Sequence, residues 1–192
     1  MRNKNYLLNI FFSIILIFSS NLVLSDEFEF NATEIETFNN GNLIKGYGGV
    51  SIEDDKDIII SGDYFEFDRL NSLLIVEKNI LVNDMLNKNI IKTNKITFYK
   101  KKNLINSVDK TIIELNSGHI IKGSNITFDK NLNTIFSNDK TLVIGPNKND
   151  LNVNAFSYSI NTQILTSDNV KIKDSKNNTY IVEKLKYNLQ TN

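Results

Sequence analysis

Apolar and polar residues alternate along most of the chain, and the alternation itself recurs. Ile126-x-Phe128 has copies upstream at Ile96-x-Phe98 and Phe65-x-Phe67, and downstream at Phe156-x-Tyr158 and Leu185-x-Tyr187. Successive doublets are offset by 31, 30, 30 and 29 residues, and Ile35-x-Thr37 stands where a degenerate sixth copy belongs. The least diverged units are "ITFYKKKNLINSVDKT", residues 96–111, and "ITFDKNLNTIFSNDKT", residues 126–141. They are identical at 10 of 16 positions without a gap. A second phrase keeps the same period: Val50, Ile52 and Asp54 in "GVSIED", Ile80, Val82 and Asp84 in "NILVND", and Val170, Ile172 and Asp174 in "NVKIKD". The middle units carry "DKTII" (109–113) and "DKTLV" (139–143) at that place. Self-similarity at a fixed period marks a repeat architecture.

The spacing of two predicts strands, because alternate side chains of a pleated strand share a face. The residues are strand formers: Ile, Val, Phe, Tyr and Thr. The mature chain shows no sustained helical stripe. Nine polar clusters punctuate the pattern: "DDKD" (54–57), "DRLN" (68–71), "DMLNKN" (84–89), "KKKN" (100–103), "LNSG" (115–118), "DKNLN" (129–133), "GPNKND" (145–150), "SINTQ" (159–163) and "DSKNN" (174–178). Each unit then holds two strands of about 10–12 residues joined by short hairpins, about eleven strands in an antiparallel meander. Strands so far above the usual length of about 5–6 residues coil. The sheet is therefore expected to fold over on itself around an apolar interior, with a partly covered exterior where segments such as Ile58–Ile60 and Leu73–Val76 are apolar on both faces. A parallel β-helix is the fallback, but it fits the hairpin rhythm less well.

The doublets and the second phrase together nominate a site. Phe65, Phe67, Ile96, Phe98, Ile126, Phe128, Phe156, Tyr158, Val50, Ile52, Ile80, Val82, Val170 and Ile172 would line one continuous apolar surface. In a repeat sheet that fails to close, such a surface is a groove; in a closed one it is ordinary core.

Composition narrows the function. Lys plus Arg and Asp plus Glu number 22 each, a balance that argues against a nucleic-acid partner. Cysteine is absent and histidine occurs once, which excludes a disulfide framework, thiolate metal sites and multi-histidine zinc sites. Catalysis of the Ser-His-Asp kind would rest on His119 alone. That residue reads as a surface or edge histidine at a strand start, with no base-orienting motif around it. No catalytic, cofactor or metal site is therefore expected. "EDDKD" (53–57) lacks the glycine and distal glutamate of a calcium loop and reads as a solvated turn. "GYGG" (46–49) precedes a strand and reads as a bulge or bend. "YKKKN" (99–103) reads as a solvated hairpin tip, with phosphate contact through its three ammoniums the alternative. Asn31, Asn125 and Asn177 open glycosylation-like triplets of the kind an Asn-rich chain produces by accident. The many asparagines read as a compositional bias.

The N-terminus is signal-like. Arg2 and Lys4 precede an apolar run from Leu7 to Leu24, interrupted by polar residues, and Val23 and Ser25 suit cleavage after Ser25. Residues 1–25 are thus expected to be a removable export signal, with an uncleaved anchor the alternative. Removal leaves 20 basic residues against 22 acidic.

"ISGDYFEFDRLNSLLIVEKNILVND" (60–84), "NVKIKD" (169–174) and "FEFNATEIE" (28–36) resemble the OstA-like family. That family includes the periplasmic lipopolysaccharide-transport bridge protein and the N-terminal domain of the outer-membrane lipopolysaccharide-assembly protein. The resemblance covers about residues 28–187. It implies an open, twisted antiparallel β-jellyroll over residues 26–192, whose interior carries the acyl chains of lipid A. The fourteen residues named above then become lipid-groove candidates. Partners implied are lipopolysaccharide, other jellyroll proteins joined through edge strands, and the outer-membrane assembly machinery, at a periplasmic location. Three arrangements stay open: a stand-alone bridge protein, the front piece of a longer assembly protein, or, with the leader uncleaved, a membrane-anchored relative with a similar jellyroll. Beside the carrier stand two other classes, an exported structural or adhesin-like repeat protein with a closed core, and an exported enzyme on a β scaffold.

Overall fold

A computed structural model describes residues 28–54 and 57–190. The signal and its cleavage site lie outside the described residues. Among those described there is no α-helix, only two 3-10 turns, Asn39–Gly41 and Lys100–Lys102. The rest of the regular structure is strand: β1 (Glu29–Phe38), β2 (Leu43–Asp54), β3 (Ile58–Asp68), β4 (Leu73–Asp84), β5 (Asn89–Tyr99), β6 (Leu104–Ser107), β7 (Thr111–Glu114), β8 (Ile120–Gly123), β9 (Thr127–Asp129), β10 (Thr134–Ser137), β11 (Thr141–Ile144), β12 (Asp150–Val153), β13 (Phe156–Ser159), β14 (Ile164–Lys173) and β15 (Thr179–Asn188). All fifteen join one antiparallel sheet. Each of the nine polar clusters falls at a strand junction.

Fifteen strands reduce to the eleven expected ones, because four long strands are broken at mid-length. β6 with β7, β8 with β9, β10 with β11, and β12 with β13 each make one run. Both parts of each run pair with the same neighbouring runs: β5 accepts β6 along Ile96–Tyr99 and β7 along Ile90–Lys92. The unbroken strands carry a register shift at the same level, between Ala32 and Glu34, Tyr47 and Val50, Ser61 and Tyr64, and Glu77 and Ile80. Breaks and shifts form one crease across the sheet. Gly48, Gly49, Lys78, Asn79, Asn125 and Asn169 adopt positive φ along it, so "GYGG" is the bulge its sequence suggests.

The conserved tail of the two closest repeats, Ser-x-Asp-Lys-Thr, lies on this crease. Ser107, Thr111, Ser137 and Thr141 are buried there and replace ladder hydrogen bonds. Thr111 and Thr141 each donate to the carbonyl two residues back, at 2.9 and 3.0 Å, and Ser137 donates to the Ser124 carbonyl at 3.0 Å. Backbone polar groups that leave the ladder inside a protein need such partners.

The crease folds the sheet into two facing layers. A strand of 11 residues, such as β5, spans about 36 Å. Yet Asp54, at one end of the strands, is ion-paired with Lys100 and Lys130 from hairpins at the other end. Contact between opposite strand ends requires the layers to lie face to face.

The expected open sheet is corrected in one respect. β5 and β14 run unbroken through both layers and flank the four broken runs on either side, with β1–β4 continuing the sheet beyond β5 and β15 beyond β14. The ladder consequently closes through ten strands, β5-β6-β9-β10-β13-β14-β12-β11-β8-β7 and back to β5, in a barrel-like ring. β1 and β15 lie outside it, with one neighbour each, β2 and β14. Among the described elements none lies outside the sheet to cover its exterior. Ile59, Leu73 and Ile75 face outward half-buried, and every described element apart from the two 3-10 turns belongs to the sheet itself.

Candidate functional site

The two repeated phrases sit on opposite layers and face each other. On one layer, cross-strand pairing builds a row that runs Ile44, Phe67, Leu74, Phe98, Ile105, Phe128, Ile135, Tyr158, Leu165 and Tyr187. An aromatic ring recurs every second strand because the repeat is two strands long. On the other layer the row is aliphatic: Ile52, Ile60, Val82, Ile91, Ile113, Ile121, Val143, Leu151 and Ile172, ending at Tyr180. Nearer the crease stand Phe65, Ile96, Ile126 and Phe156 from the first phrase, and Val50, Ile80 and Val170 from the second.

Thirteen of the fourteen nominated residues are buried, and Ile172 is half-buried against the same core. The structure therefore brings all fourteen to one interior. Sequence reading missed the alternate strands, Leu74, Ile105, Ile135 and Leu165 among them, which carry half of each row. Segments such as "SLLIVE" are apolar on both faces, with neither alternation nor an aromatic to mark the inward side. Phe28 and Phe30 were also missed. Phe28 meets Phe67 and Phe98, each at 5.3 Å between ring centroids, and Phe30 stacks on Phe65 at 4.6 Å. Gly46 makes room for that stack: a Cβ there would stand 2.1 Å from Phe65 Cε1.

The interior is filled. Phe65, Phe67 and Phe98 are 0–1% exposed. The space among Ile91, Ile96, Ile105, Ser107, Ile126 and Phe128 measures about 10 Å³, room for roughly one water. Openings lie at the margins. Where hairpin tips of the two layers meet, Leu86, Asn87, Asn89 and Ser117 face Tyr158, Ile160 and Gln163 across a cleft of about 200 Å³. At the β15 end the rows run out toward solvent. Leu185 and Tyr187 are only partly buried, while Tyr180 is 51% exposed.

Polar groups cluster at the tips. Asp84 accepts from Asn87 N and Nδ2 and from Asn89 Nδ2, at 2.8–3.3 Å, so the aspartate that closes the second phrase organises a turn. Asp174 does the same toward Lys176 and Asn178, and these bonds hold its carboxyl below the usual range. Asp54 differs: fully buried, it takes Lys100 on one carboxylate oxygen and Lys130 on the other. His119, expected at the surface, is fully buried. Its Nδ1 lies 3.0 Å from Ser117 Oγ, its Nε2 lacks a partner, and burial lowers its pKa from the ordinary 6.5. Burial likewise raises the Tyr158 hydroxyl. No group of three or more His, Cys, Asp or Glu among the described residues is placed to hold a metal ion. "EDDKD" lies partly outside the described residues.

No family model matches the chain. No curated protein matches it either. Among solved structures, it is similar to LptH, the LptA-homologous periplasmic component of the lipopolysaccharide transport device from Pseudomonas aeruginosa. Identity is 12%, the match covers 81% of this chain and 93% of that one, and the TM-score is 0.30. A second similarity is to the wild-type TCP10 domain of CPAP from Danio rerio, in complex with a peptide of STIL. It has 12% identity, covers 83% of this chain and 99% of that one, and has a TM-score of 0.16. Both likenesses are weak.

Proposed function

We propose that this chain is a non-catalytic carrier module of the jellyroll type that shields the acyl chains of lipopolysaccharide during passage through the periplasm to the outer membrane. The observation that carries the reading is the pair of facing apolar rows, which run the length of the sheet and emerge at β15. The OstA-like phrases and the signal-like leader support the same reading. An acyl chain in water costs about 0.8 kcal/mol per methylene. A 12-carbon chain therefore carries on the order of 10 kcal/mol against crossing an aqueous gap alone. Rows of Ile, Val, Leu and Phe offset that cost without any reacting group. Because the interior is filled, lipid is admitted by parting the two layers from their tips, with the crease as hinge. β1 and β15, each paired on one side, are the edges on which neighbouring jellyroll proteins add strands.

The near-complete burial of Phe65, Phe67 and Phe98 favours a second reading, a structural repeat protein with a permanently dry core. Site-specific photocrosslinking separates the two. Probes at Phe67, Phe98, Phe128 or Tyr158 are expected to capture lipopolysaccharide, and probes at the outward neighbours Glu66, Thr97, Thr127 or Ser157 are not. Capture from the outward set alone would sink the carrier reading, and capture from neither set would favour the dry core.

A further inference from the structure

The ion pair that joins the layers has the form of an occupied ligand seat. Lys100 and Lys130 hold the same place in the two closest repeats, 30 residues apart. Their side chains are 14% and 17% exposed, and between them lies the Asp54 carboxylate, one oxygen to each ammonium. Directly beneath are aromatic faces: Lys100 Nζ is 5.6 Å from the Phe28 ring centroid and Lys130 Nζ 5.7 Å from that of Phe98. Phe28 and Phe98 in turn pack on each other, and Phe28 on Phe67, at the start of the apolar interior. A paired cation at the lip and an aromatic wall below it are the two halves of a site for an amphiphile.

We infer that Lys100 and Lys130 seat the compact anionic head of an acyl ligand, a phosphate monoester above all, and that Asp54 holds the seat in the ligand-free chain. The inference rests on the carrier reading and adds to it a headgroup contact and an internal competitor. A phosphate offers two oxygens to two ammoniums, as the carboxylate does, with more charge. When the layers part, Asp54 moves off with its own layer and regains water, while the lysines stay with Phe98 on the other. The contact that holds the layers shut is then exchanged for one that only a charged lipid can make.

The test titrates the full chain with dodecyl phosphate, dodecyl maltoside and inorganic phosphate. It compares the native protein, Asp54→Asn, and Lys100→Gln with Lys130→Gln. Native protein is expected to prefer dodecyl phosphate to dodecyl maltoside, and the lysine double variant to lose that preference. Asp54→Asn is expected to bind dodecyl phosphate about tenfold more tightly, roughly one charge-assisted hydrogen bond, with dodecyl maltoside unchanged. Removing one partner of a buried pair is costly, so each variant is first checked for a cooperative unfolding transition. If Asp54→Asn does not fold, the native preference and its loss in the lysine variant decide the matter. Equal gains for both detergents would mean that Asp54 merely clamps the layers, which overturns the seat and leaves the carrier reading standing. Inorganic phosphate binding as tightly as dodecyl phosphate would overturn the seat as a lipid site. Failure of both amphiphiles to bind the native protein and every folded variant would overturn the seat and the carrier reading together.

Discussion

His119 packs its ring on Tyr187, with centroids 5.9 Å apart and planes at 76°, and Tyr187 belongs to the opposite layer. Burial keeps the imidazole neutral by holding its pKa below 6.5. The unfolded chain therefore takes up the proton first as pH falls. Stability present above pH 6.5 is lost as pH drops through the lowered folded value. His119→Gln is expected to remove this component. Urea midpoints measured at about pH 7.5 and about pH 5.5 should differ more for the native protein than for the variant. Asparagine supplies a second lesson at this scale. Eight of the thirteen non-glycine residues with positive φ among those described are Asn. The abundance that looked like compositional bias therefore serves, at those positions, a backbone shape that few other residues tolerate.

The hairpins at the layer edge are linked by a repeated hydrogen bond. Lys100 N donates to the Ser72 carbonyl, Lys130 N to Asn103, Ile160 N to Asn133 and Leu189 N to Gln163, all at 2.9–3.0 Å. Each accepting residue has positive φ, near 50°. The left-handed residue turns its carbonyl toward the next hairpin, and the repeat is stitched at its tips as well as along its ladder. Asn133→Ala should cost about 1 kcal/mol, and Asn133→Gly clearly less, as read from thermal unfolding midpoints. Equal costs would mean that φ is not what the position demands. The clusters "KKKN", "DKNLN" and "SINTQ" made these hairpins legible in the sequence. Their mutual bond was not, because it joins residues a whole repeat apart.

Closure through ten strands leaves the molecule with a tied centre and two loose margins. β5 lies between neighbours on both sides over most of its length and its inward residues are buried, whereas β15 has one neighbour and is largely exposed. Amide hydrogen exchange is expected to be slowest in β4 and β5 and fastest in the two edge strands, β1 and β15, in the order that local burial sets. Binding of a neighbouring jellyroll protein at β15 would slow that strand selectively; uniform slowing on binding would count against edge-strand addition.

At all three scales the local signals were written in the chain. A period of two specified strands, a period of about 30 specified two-strand repeats, and Asp-Asn clusters specified turns. Each of these depends on residues a few positions apart, so a single sequence contains it. The doublets could be nominated as one apolar surface for the same reason. The tertiary structure decided how that surface is used: which long strands break at the crease, that the two phrases take opposite layers, that His119 is buried, and that Asp54 meets Lys100 and Lys130. The two Asp54 pairs alone reach across 46 and 76 residues. They follow from folding the sheet at its middle, a geometry that brings opposite strand ends together and that alternation along one strand does not encode.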